Sequence, residues 1–237
     1  LLIVALNQYW KPLQHLTVTP FEYTGVVLGL VLVFQTNAGH ERWWEARKLW
    51  GAIVNQSRNI AFEALSYGNT LNVGSQQPLL LTDIVKWTVA FSLKSAIHMP
   101  LFVVGKIADL LQQARLSGHI DGFDLMIIED QRSLLIDHIG ACERILKTPM
   151  PLVYAIKVRR FILIFLLLLP FSLMDNLHFS AVCIFFLMAN SLLSLDRIGI
   201  ELQNPFATKN LSHLPLGTIC DSIKLHCLTL LKQSQQS

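Results

Sequence analysis

The sequence predicts an all-α membrane protein, with four transmembrane helices per subunit and a large cytosolic helical part. Three observations predict it. The 237 residues are 52% hydrophobic but only 15% charged, with a mean hydropathy of +0.46, whereas soluble domains carry about 25% charged residues. Apolar runs long enough to cross a bilayer alternate with long amphipathic stretches. No segment reads as a strand, and no internal repeat is present.

The chain opens in mid-run at Leu1 with LLIVAL, which reads as the tail of one span. A segment before Leu1 is therefore expected. The next span includes residues 21–36, FEYTGVVLGLVLVFQT. Val26, Leu30 and Phe34 stand at i, i+4 and i+8, along one side of a helix. Gly25 and Gly29 form a GxxxG beside them, a pattern that lets neighbouring helices approach closely. Spacing alone favours ordinary packing for the apolar stripe, and a hydrophobic constriction that gates by dewetting is the sharper alternative. Residues 41–67 continue the helix. Glu41, Arg42, Glu45, Arg47 and Lys48 mark the point where it leaves lipid.

Residues 79–112 are apolar but carry Asp83, Lys86, Lys94, His98 and Lys106, each costly at a bilayer centre, so they read as cytosolic. Residues 122–147 form a polar amphipathic helix with Glu129, Asp130, Arg132, Asp137, Glu143 and Arg144. The turn-rich loops SYGNTLNVGSQQP and SGHIDG separate these pieces. In KTPMPLVY, Pro149 and Pro151 break the helix and hold Met150 extended. By spacing this is a plain hinge; a second narrowing at Met150 is the sharper reading.

Two further spans follow. LVYAI with FILIFLLLLPFSLM is kinked or ended at Pro170, and LHFSAVCIFFLMANSLLSL, residues 177–195, has no charged residue. Only Asp175 and Asn176 link them, so the pair reads as a transmembrane hairpin. LDRIGIELQNPFATKN holds Asp196 and Glu201 as its only acids. That is too few for a calcium loop of six to eight oxygen ligands, and the stretch reads as a solvated turn. A last helix covers about 215–232, with Pro215 near its start, and the QSQQS tail reads as disordered.

Basic residues fix the orientation. Arg42, Arg47 and Lys48 follow the span at 21–36; Lys157, Arg159 and Arg160 precede the hairpin and Arg197 follows it. The short loops 7–20 and 175–178 hold only Lys11 and face outward. The membrane part is then about 1–40 and 152–195, and the cytosolic part about 41–151 and 196–237.

Other classes are excluded or disfavoured. The net charge of +3 lacks the basic stripe of a nucleic-acid binder. No GxSxG, HExxH, P-loop or GxGxxG is present, so no enzyme is expected. Cys142, Cys183, Cys220 and Cys227 form no CxxC and have no histidine at metal-finger spacing; they read as reduced, buried thiols. His98 and His178 read as structural. No metal and no cofactor is expected.

TNAGHERWWEARKLWGAIVNQSRN resembles the signature run of the bacterial bestrophin-like family. CERILKTPMPLVYAIKVRRFILIFLLLLPFSL and LDRIGIELQNPF with LPLGTICDSI resemble two further blocks, in family order over about residues 21–225. The resemblance implies a homopentameric, all-helical ion channel with one pore on the five-fold axis, as a single channel domain over 1–237 in the bacterial inner membrane. It implies a hydrophobic neck at Val26, Leu30 and Phe34 and a cytosolic aperture at Met150, reversing the packing and hinge readings. Gln35 and Asn37 would be the first polar step of the pore below the neck. Trp43 and Trp44 would sit near the membrane boundary or pack between subunits.

The chain departs from the family at several places. Gln35 stands where bacterial members usually have arginine, Gly39 and His40 replace a small–aromatic pair, and the acidic calcium cluster of animal members is lacking. The expected partners are other copies of the chain, membrane lipid and permeating small ions, and no nucleic acid. Chloride and other small anions are the expected cargo. A cation-selective channel is the close alternative, a non-conducting scaffold the rival from another class, and a membrane enzyme a distant third.

Overall fold

The computed structural model describes residues 18–68, 82–86, 100–207 and 213–234. Among them lie five long helices: α1 Thr19–Gly68, α2 Pro100–Leu116, α3 Gly122–Lys147, α4 Leu152–Glu201 and α5 Leu216–Ser234. A helical turn covers 82–86, and no strand occurs among the described residues. The LLIVAL tail, most of the loop at 7–20, and Lys94 and His98 lie outside the described residues. The chain divides into two compact units, Leu1–Trp44 with Thr148–His213, and Glu45–Lys147 with Leu214–Ser237.

In the first unit, α1 and α4 pack around one apolar cluster. Leu28 and Leu32 of α1 meet Val158, Ile162, Phe165, Leu166, Leu169 and Leu173 of α4. The α4 residues recur at three, four and seven, which lines them along one helix face. Phe185, Ala189 and Leu192 pack on the same cluster from further along α4. Helix α4 runs through Pro170 without ending there, so the proline does not close the segment.

Helix α4 also doubles back. Arg159 Nε lies 3.2 Å from Asp196 Oδ2, 37 residues later in the same element. A straight helix would hold these two residues about 55 Å apart. The element must therefore reverse between them, as the expected hairpin requires. The reversal satisfies both charge and packing: one limb brings a guanidinium and the other a carboxylate, while their apolar faces share the cluster with α1.

Two described stretches are long and apolar enough to cross a membrane, Thr19–Tyr67 and Val182–Glu201. Only 17% and 11% of their most apolar windows are buried within the chain. The core helix of a soluble protein would be mostly covered by its own chain.

In the second unit, Ala61 of α1, Val85, and Ile223, Cys227 and Leu231 of α5 form a separate core, flanked by Val54 and Leu65. Helices α2 and α3 pack together. Between them, Gly118 has φ +75°. Its N–H donates to the Arg115 carbonyl at 3.0 Å and the His119 N–H to the Ala114 carbonyl at 2.9 Å. This pairing closes α2 with a left-handed residue, which glycine adopts without steric penalty. Helix α3 carries a half-buried Arg132–Glu129 pair and an exposed Lys147–Glu143 pair.

Candidate functional site

Helix α1 carries two opposed faces. Leu28, Leu32, Gln35 and Gly39 are buried. At 100° per residue they occupy one arc, and Val26, Leu30 and Phe34 lie roughly opposite. Those three are 73%, 54% and 59% exposed. The apolar stripe is therefore not covered by its own chain, although the other side of the same helix is packed tight. Asn37 and Glu41 continue the exposed stripe, at i+3 and i+7 from Phe34.

Gln35 faces the other way. It is 1% exposed, and its Nε2 donates to Asp196 Oδ1 at 3.3 Å. The expectation that Gln35 lines a pore beside Asn37 is corrected: one residue on from Phe34, the helix has turned the side chain into the seam. Asp196 is corrected too. Helix α4 continues through it to Glu201, so LDRIGIE is not a solvated turn, and Asp196 is 4% exposed. Its two oxygens take Gln35 on one side and Arg159 on the other. A buried carboxylate needs such partners, because burying an unpaired charge is costly. Gln35 Oε1 has no partner among the described residues.

Two glycines make this contact possible. A Cβ at Gly39 would stand 3.0 Å from the Gly199 carbonyl oxygen and 3.1 Å from Leu202 Cβ. A Cβ at Gly199 would stand 3.2 Å from Gln35 Cγ. Arg42 Nε donates to the Gln203 carbonyl at 2.8 Å just beyond. Among the described residues, the close helix approach lies here rather than at the GxxxG: Gly25 meets the Phe165 ring at 3.6 Å, and Gly29 has nothing within 4 Å.

Met150 is half-buried in the non-helical segment between α3 and α4. Pro151 precedes α4 with φ −55° and ψ 116°, an extended conformation as the two prolines require. The indole of Trp43 stacks on the His40 ring at 6.3 Å and on the Trp44 ring at 6.4 Å. All four cysteines are free. Only Cys227 is buried, and Cys183 is exposed on the second limb of α4, which corrects the expectation of four buried thiols. Burial, reinforced by the Glu45 carboxylate, pushes the Cys142 thiol up to about 12.

Sequence reasoning missed Arg159, Asp196, Gly39 and Gly199 as a set. The available signal was the seam itself, since Gln35 and Gly39 fall at i+7 and i+11 from Leu28, the helical positions of its packed face.

The chain matches the profile of the family described as bacterial/fungal bestrophin protein in two overlapping stretches, residues 1–99 and 81–229. It is 34% identical over 224 residues to a voltage-dependent anion channel-forming protein of Nostoc sp., covering 84% of this chain and 73% of the relative. A protein of the same description from Escherichia coli is 28% identical over 239 residues, 90% and 77% of the two chains. Among solved structures, a bacterial bestrophin homologue from Klebsiella pneumoniae superposes with a TM-score of 0.85 at 26% identity, over 96% of this chain and 93% of that one.

Proposed function

The chain belongs to the bacterial and fungal bestrophin family, and from that premise we propose that it is a passive channel for chloride and other small anions. Five copies surround one pore in the bacterial inner membrane, with about 1–40 and 152–195 in lipid and about 41–151 and 196–237 in the cytosol. The observation that carries this reading is the uncovered apolar stripe of Val26, Leu30 and Phe34 opposite a buried seam. A soluble fold would bury such a stripe, whereas lipid or a symmetry axis would cover it, and membership of a channel-forming family favours the axis. Around a symmetry axis they form three apolar rings, a neck that conducts only when wetted.

Asn37 is the first polar step below the neck, and Met150 forms the cytosolic aperture. Anions are the favoured cargo because the similar proteins of Nostoc sp. and Escherichia coli are described as anion channel-forming. An apolar neck does not itself choose a sign.

The test is the reversal potential of purified protein in planar bilayers under a KCl gradient. A value near the chloride equilibrium potential supports the anion reading. A value near that of potassium replaces it with a cation channel, and absence of flux under every gradient replaces it with a non-conducting scaffold.

A further inference from the structure

We propose that Glu41 is the residue of α1 that biases the sign of the permeating ion, and that it does so against anions. This inference rests on the pore reading of Val26, Leu30 and Phe34 and names the charge that acts just below them.

Glu41 stands seven residues after Phe34, two turns further along the same helix, and on the same side of it. Taking 100° per residue, Val26, Leu30, Phe34, Asn37 and Glu41 fall within an arc of about 80°, and the buried seam is centred about 170° away. Each of the five is exposed. A helix that turns Phe34 toward an axis therefore turns Glu41 toward it as well. Asn37, the only other polar residue of the stripe, is neutral.

Among the described residues, no charge at its level cancels it; the next on the same side of α1, Lys48, is exposed and stands seven residues, about 10 Å, further from the neck. The next residue, Arg42, is half-buried and aims its Nε at the Gln203 carbonyl, on the seam side. Glu45 is held by Arg144 at 2.7 Å. Among the described residues, no group pairs with Glu41. Asp196 is buried and matched with Gln35 and Arg159, away from the stripe. Glu41 is thus the first unneutralised charge on the stripe after the neck. Five symmetry-related carboxylates at one level attract cations and repel anions, as rings of acidic side chains do in ion pathways.

The experiment compares wild type with Glu41→Gln, Glu41→Lys and the control Glu45→Gln, as full chains in planar bilayers under a KCl gradient at low and high salt. If five carboxylates stand about 10 Å from the axis in screened water, each ion's local concentration changes by about threefold, in opposite directions for the two signs, and the chloride-to-potassium permeability ratio by about tenfold. Glu41→Gln is expected to raise that ratio by this factor, whichever ion wild type prefers. Glu41→Lys is expected to raise it further, and Glu45→Gln to leave it within experimental error. The Glu41 shifts should shrink in high salt, where the Debye length is short.

An unchanged ratio in both Glu41 variants, with conduction intact, overturns the inference and leaves the pore reading standing. An equal shift in Glu45→Gln also overturns it, because the effect then belongs to overall charge. A wild-type protein without flux overturns the pore reading and this inference with it. Where a Glu41 variant assembles poorly, Glu41→Cys treated with negatively or positively charged methanethiosulfonate reagents tests the same position. The cationic adduct must raise the ratio relative to the anionic one, and equal ratios overturn the inference.

Discussion

Replacing Gly39 with alanine tests the close contact between α1 and the second limb of α4. The new Cβ would lie 3.0 Å from the Gly199 carbonyl oxygen and 3.1 Å from Leu202 Cβ, where ordinary contact begins at 3.4 Å. Neither atom is the far end of a flexible side chain, so the helices must part by a few tenths of an ångström. Overpacking of this kind costs about 1–3 kcal/mol. The swap recovers roughly 0.8–1 kcal/mol, because glycine is a poor helix former. Parting the helices also stretches the Gln35–Asp196 hydrogen bond, already 3.3 Å long, and losing it adds about 0.5–1.5 kcal/mol. The net expectation is a loss of about 2 kcal/mol, some thirtyfold in the unfolding equilibrium. The assay is SDS titration of the detergent-solubilised protein, followed by helicity. Gly39→Val should be worse than Gly39→Ala. Gly51→Ala, where nothing lies within 4 Å of the new atom, should be neutral or stabilising by up to about 1 kcal/mol. Wild-type stability in Gly39→Ala, or equal losses at positions 39 and 51, would refute the packing argument.

Changing Val26, Leu30 and Phe34 together to alanine should widen and wet the neck, seen as longer openings and a larger unitary conductance in planar bilayers; unchanged recordings would remove the neck assignment. Cys142, pushed from 9.0 up to about 12 by burial and then by Glu45, should react with maleimide at pH 8 about a thousandfold more slowly than an ordinary thiol, because only the thiolate attacks. Mass spectrometry of the labelled protein reads this rate, and Glu45→Gln should raise it. The same shift has a consequence for stability: the unfolded thiol loses its proton first, so the Cys142 contribution is complete below pH 9 and is lost as pH rises toward about 12. Arg144→Ala removes a pair with Glu45 in which both side chains are well exposed, and should cost no more than about 1 kcal/mol in the same SDS titration.

Much of the fold was legible because its boundaries are local. Helix α3 begins after SGHID and ends before TPMP, and both edges are written in glycine and proline. The unbroken run of α1 from the apolar segment into the charged one follows from continuous helical patterning. The hairpin was legible because two apolar runs flank two polar residues. Burial of Asp196 was not legible, because its partner Gln35 lies 161 residues away in the chain and the helix register that joins them is a tertiary fact. Among the described residues the GxxxG has no close backbone neighbour, for the same reason. A small-residue motif permits close approach, but the neighbour that makes use of it is chosen elsewhere, and here it meets Gly39 and Gly199.

The two faces of α1 divide its work. Position 35 looked like the place where an ion's sign could be chosen, because it follows Phe34 and lacks the family's usual arginine. The helix turns that side chain into the seam, where it meets Asp196 beside Gly199. A charge placed there would act first on Asp196, at contact distance, and only weakly on an ion beyond the helix. The stripe, in contrast, runs apolar from Val26 to Phe34, neutral at Asn37, and acidic at Glu41. In the proposed pore, the neck would set whether an ion passes, and the first charge below it which sign passes more readily. Those are separate functions on one face, and the opposite face holds both in place through packing.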